Sequence, residues 1–75
     1  IRYRQGRLAD AERYLRQAYE RFPDAEVAAH LGEVLWAQGK RSEARKVWRV
    51  GLDADADDAI LRSTLKRLTG SETLR

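Results

Sequence analysis

Apolar residues recur at steps of three and four along most of the chain. Leu8, Ala11, Leu15, Ala18 and Phe22 form one stripe, and Val27, Leu31, Val34 and Leu35 a second. Ala44, Val47 and Trp48, with Leu52 one turn on, form a third; Ile60, Leu61, Leu65 and Leu68 form a shorter fourth. This is the period of one face of an α-helix. No stretch shows sustained alternation with β-branched residues, so no strand is predicted. Gly6 and Gly39 follow periodic segments, where a left-handed C′ residue favours glycine. Asp24, Ser42 and Asp57 precede periodic segments and can cap free N–H groups, while Pro23 stops the helix behind Phe22. Helices are predicted at about 8–21, 25–38, 42–53 and 58–69, joined by links short enough to make neighbours antiparallel. Residues 1–5 read as the last turn of an earlier helix and 70–75 as a frayed tail.

The pattern repeats. The shift that carries Gly6 onto Gly39 also carries Gln5 onto Gln38, Arg7 onto Lys40, Asp10 onto Glu43 and Ala11 onto Ala44. Under the same shift Tyr3 meets Trp36, Leu15 meets Trp48, Ala18 meets Gly51 and Val27 meets Ile60. The matches are in size and character at positions that would face a core.

Size and composition narrow the picture. With 75 residues, a core is marginal unless packing is very regular or a neighbour helps. There is no Cys, so neither a disulfide nor a thiolate metal site can staple it, and a cytoplasmic and a periplasmic location fit equally. No apolar run approaches the ~20 residues of a membrane span, and no signal-peptide pattern is present. Ile1 is not an initiator Met, so the chain reads as part of something longer. Fifteen Lys and Arg against twelve Asp and Glu, mixed along the chain, predict solvated helix faces rather than a nucleic-acid stripe.

Candidate chemistry is sparse. His30 is the only His, so no His pair can hold a metal. Ser42, Ser63 and Ser71 lack the strand–turn–helix setting of a nucleophile elbow, and Gly6, Gly32 and Gly39 are too far apart for a phosphate loop. No enzyme and no cofactor are expected. Arg13, Arg16 and Arg21 interleave with Tyr14 and Tyr19 as an RNA-binding face would, but Glu12 and Glu20 interrupt them, and Glu12 can pair with Arg16. Trp48 lies on the core stripe. Trp36 divides evenly between an exposed anchor and packing against Tyr3 or the next helix.

Residues 31–56 resemble a tetratricopeptide repeat. Leu31-Gly32 corresponds to the family's paired Leu-Gly, Leu35 to its next large position and Gly39 to its turn glycine. Ala44, Trp48 and Gly51 match the small–large–small series of its second helix; Ala11, Leu15, Ala18 and Pro23 match that series and the closing proline one unit earlier. The departures are a repeat one position shorter than the family's usual length, Ala28 where Trp is typical, Ala56 in place of the closing proline, and Gly51 in place of Ala. The run 22–36 is also similar to repeat arrays of bacterial proteins, some of them exported lipoproteins.

The resemblance implies an all-α fold of antiparallel helix-turn-helix repeats, a short α-solenoid of about four helices. Residues 1–24 would end a partial repeat, 25–56 form a full one, 57–69 a C-terminal capping helix and 70–75 the tail of a longer array. It implies a protein–protein interaction module that holds a partner peptide or helix in a concave groove lined by the first helices. Family position sets Glu26, Ala29, Glu33 and Trp36 in that groove; the Gly6-to-Gly39 shift gives Ala59, Arg62, Lys66 and Thr69 as their equivalents. Glu26 and Glu33 would then form an acidic wall opposite Arg62 and Lys66. Ala29 and Glu33 stand in places where members that grip a C-terminal carboxylate carry Lys and Asn, so that clamp is not expected. The alternatives are a structural end cap and, more weakly, an RNA-binding surface; self-association is also open.

Overall fold

The computed structural model describes residues 5–71. The expectations for residues 1–4 and 72–75, including a contact of Tyr3 with Trp36, lie outside them. Four helices follow in order: α1 (Gln5–Arg21), α2 (Ala25–Ala37), α3 (Arg41–Ala54) and α4 (Ala59–Thr69). No strand occurs among the described residues.

Helix α2 is the hub and packs against α1, α3 and α4. Its neutral composition permits this, because between Ala25 and Ala37 only Glu26 and Glu33 are charged. Leu31, Leu35, Trp48, Leu61 and Leu65 are fully buried and form the centre of the core. Burying side chains of this size contributes roughly 1.5–3 kcal/mol each. Trp48 lies flat enough on α2 that a Cβ at Gly32 would overlap its indole, and its Nε1–H points at the Ala29 carbonyl at 3.4 Å. Glycine at 32 is therefore what lets the second helix of the pair seat its largest side chain.

Caps set the helix ends. Asp24 accepts from the Val27 N–H at 2.8 Å, as expected. The α2–α3 turn closes as a Schellman motif: Gly39 N donates to Trp36 O, Lys40 N donates to Leu35 O, and Gly39 takes φ +85°.

Three local expectations are corrected. Gly6 is the second described residue of α1 and lies within its helix rather than in a left-handed turn, with no positive φ. Lys40, not Ser42, is the N-cap of α3 and makes no side-chain cap bond; Ser42 sits within the first turn. Asp58, not Asp57, caps α4 by accepting from Leu61 N at 2.9 Å. Asp57 instead lies 3.7 Å from Arg62 Nη1.

The last correction alters the repeat. Helices α1 and α3 end at Arg21 and Ala54, the same spacing that separates Gly6 from Gly39. The caps of α2 and α4, Asp24 and Asp58, stand one position further apart than that. The α3–α4 link is longer than the α1–α2 link by a single residue. The Gly6–Gly39 spacing therefore relates the second helices, and a spacing one position longer relates the first helices. In that register Val27 matches buried Leu61, Leu31 matches buried Leu65, and Ile60, 42% exposed, matches exposed Glu26.

Candidate functional site

The face shared by α2 and α4 is centred on an ion pair. Arg67 Nη2 donates to Glu33 Oε2 at 3.0 Å, and Glu33 is only 7% exposed. With the register corrected, the positions equivalent to Glu26, Ala29, Glu33 and Trp36 are Ile60, Ser63, Arg67 and Gly70. The cation opposite Glu33 is thus Arg67 and not Lys66. Sequence reasoning missed Arg67 because a single extra link residue turns the following helix by about 100° relative to the expected register.

The other candidates are scattered in environment. Glu26 and Lys66 are exposed, and Arg62 is half-buried beside Asp57. Ala29 is 0% exposed beneath Trp48 and offers a partner no surface. Trp36 is half-buried and packs on α3: its ring centroid is 5.5 Å from that of Trp48, and the Arg41 guanidinium carbon sits 4.5 Å from the ring centre. The indole ring thus has an aromatic support and a cationic cover, each such cation–π contact being worth about 0.5–1 kcal/mol at an exposed site.

On the opposite side, Glu12 ties α1 to the α2–α3 turn. It accepts from Arg16 Nε at 2.7 Å, from Gln38 Nε2 at 2.8 Å and from Lys40 Nζ at 3.1 Å. The Arg16 bond, then the Gln38 and Lys40 contacts, outweigh partial burial and lower its carboxyl from 4.5 to about 2. Burial raises the phenol of Tyr19, which rests against the core. Arg13 lies 3.8 Å from Asp10, and Arg16 is shared between Glu12 and Glu43, so two of the three arginines of the RNA-binding alternative are already paired within the chain.

Beyond these contacts, Tyr14, Gln17, Ala18, Arg21 and Phe22 line a shallow groove of about 230 Å³ on α1. Among the described residues no group of three His, Cys, Asp or Glu is placed to hold a metal ion. No helix of the described residues is long and apolar enough to cross a membrane.

Helices paired through Leu31-Gly32 and Ala44-Trp48-Gly51, flanked by α1 and α4, define an all-α helical repeat. The sequence pattern of the tetratricopeptide repeat family matches residues 2–68, and the chain belongs to that family. Among curated proteins, TPR repeat-containing protein PA4667 of Pseudomonas aeruginosa is 68% identical over 73 residues, which cover 97% of this chain and 12% of that protein. The chain thus spans a small part of its bacterial relative. Tetratricopeptide repeats are protein-interaction modules in general, and proteins built from them are generally non-enzymatic scaffolds.

Proposed function

We propose that this chain forms part of a scaffold that binds a partner protein along the face shared by α2 and α4. The observation that supports the reading is the Glu33–Arg67 bond, which joins equivalent positions of two successive first helices and so puts both on one continuous face. Glu26 on α2 and Ile60 and Ser63 on α4 remain exposed at this face and can meet a partner; Lys66, equivalent to Gly32 in the corrected register, lies on another side of α4, and Glu33 holds Arg67 in place. Trp36 contributes shape more than free contact area, since it already has neighbours in the chain, and Arg62, equivalent to buried Ala28, lies off this face.

A second reading, a structural end cap, is favoured by the same bond. Glu33 is buried and paired, so the α2–α4 seam is also a closed packing contact. Affinity capture separates the two, with the intact protein carrying this chain as bait, native and with Glu26→Lys/Ser63→Glu. Both sites are exposed, so the fold should survive with a stability change within about 0.5 kcal/mol. Loss of one reproducibly retained protein supports the binding face. Unchanged capture leaves these helices as a cap and removes the site.

A further inference from the structure

Positive charge is concentrated in two places, the start of α3 and the length of α4, where Arg62, Lys66 and Arg67 stand with no acid; the start of α3 is the denser of the two. Residues 40–49 hold five cations (Lys40, Arg41, Arg45, Lys46 and Arg49) and one carboxylate, Glu43, for a net +4. The whole chain carries +3, so everything outside this segment sums to −1. The even mixing expected from composition hides this, because the compensating acids lie at the far end of α3, at Asp53, and on other elements.

Those acids do not neutralise the N-terminal half of α3. Glu12 is engaged by Arg16, Gln38 and Lys40, and Glu43 faces Arg16 at 3.7 Å. Among the described residues, no carboxylate pairs with Arg41 or Arg45. Both guanidiniums converge on Trp36 instead, at 4.5 Å and 6.0 Å from its ring centre, while buried Trp48 backs the ring. Two like charges four residues apart on a helix repel, and the ring holds them together regardless. An anion placed between them would relieve that repulsion and find two planar donor forks already oriented.

We propose that Trp36, Arg41 and Arg45 form a receptor for the carboxylate side chains of an acidic segment in a partner protein. The proposal rests on the reading of this chain as a protein-interaction module, and it does not depend on which face the α2–α4 experiment supports. Charge complementarity selects the occupant. A nucleic-acid strand is disfavoured because Trp36 is already engaged by Trp48 and Arg41, and the exposed aromatics Tyr14 and Phe22 lie on α1 and just beyond its end, so this face lacks successive stacking platforms.

The test is fluorescence anisotropy with the intact protein carrying this chain. The probes are a short labelled peptide of alternating Glu and Ala, its Lys counterpart, and an oligoadenylate RNA of equal charge. Arg41→Ala/Arg45→Ala should weaken the acidic peptide roughly tenfold, and Arg41→Lys/Arg45→Lys, which keeps the charge but loses the fork, about threefold. Lys46→Ala/Arg49→Ala removes the same charge from the same helix and should cost less than about threefold. Circular dichroism confirms that each variant keeps its helices. Equal losses in the Arg41/Arg45 and Lys46/Arg49 pairs would reduce the site to diffuse charge and overturn it, as would absent peptide binding. RNA binding tighter than the peptide, with the same dependence on Arg41 and Arg45, would overturn the carboxylate assignment. Glu26→Lys/Ser63→Glu should leave peptide affinity unchanged, so failure of the α2–α4 reading and failure of this one give different patterns.

Discussion

Helices α1 and α3 carry matching side chains at equivalent positions of successive repeats: Ala11 with Ala44, Tyr14 with Val47, Leu15 with Trp48 and Ala18 with Gly51. In α3 all four are buried against α2 and α4. In α1 the same pattern is looser. Tyr14 is 72% exposed where Val47 is 7% exposed, and Leu15 and Ala18 are half-buried where Trp48 and Gly51 are buried. The helices differ little in periodicity. They differ in neighbours, since α3 meets α2 and α4 while α1 meets α2. In a stacked repeat, burial belongs to the contact between units rather than to the unit.

The strongest way to break this comparison is to truncate the equivalent large residues. Trp48→Ala should destabilise by about 3–5 kcal/mol, because it empties the space over Gly32 at the centre of the core. Leu15→Ala should cost only about 1–2 kcal/mol, because part of that side chain is already in water. Urea denaturation measures both, and equal losses would show that α1 is as tightly held as α3.

Glycines sharpen the contrast at smaller amplitude. A Cβ at Gly51 would come within 2.7 Å of the Ala28 Cβ and 3.0 Å of Leu61 Cδ2, so Gly51→Ala should destabilise by about 1–3 kcal/mol despite a better helix propensity. A Cβ at Gly6 would meet nothing within 4 Å, so Gly6→Ala should stabilise by about 0.5–1 kcal/mol. Thermal melts with opposite shifts would bear this out. The family's usual Ala is therefore absent at 51 for a local reason: α3 runs unusually close to α2 and α4 there.

A pH-dependent effect comes from the latch between α1 and the α2–α3 turn. The folded carboxyl of Glu12 lies near 2, below its ordinary 4.5, so its contribution is complete above about pH 4.5 and is lost as pH falls toward 2. That contribution is on the order of 1–2 kcal/mol once solvent screening of the half-exposed Arg16 and Lys40 is allowed for. Glu12→Gln should be less stable at neutral pH, and its stability should change less across that acid window than the native chain's.

Much of this was legible in the residues. Helical stripes, the Asp24 cap and the Gly39 turn follow from local periodicity and backbone preference, and the Leu31-Gly32 and Ala44-Trp48 pairs point to the family. The candidate site was less legible. Glu33 and Trp36 read as groove residues by position, but a sequence does not show that Glu33 is covered by Arg67 or that Trp36 turns toward Arg41 and Arg45. Ala29 matches a groove position yet lies under an indole from the next helix.

By itself, the sequence determined that this protein is a run of amphipathic helices that repeats near the Gly6–Gly39 spacing, because those signals act within a few residues of one another. Only the tertiary structure decided that α4 is rotated by one position, that Arg67 meets Glu33, and that Gly51 has no room for a methyl group. Each of these depends on where a separate helix arrives. A single residue in the α3–α4 link, silent in composition and nearly silent in periodicity, turns every side chain that follows it by about 100°.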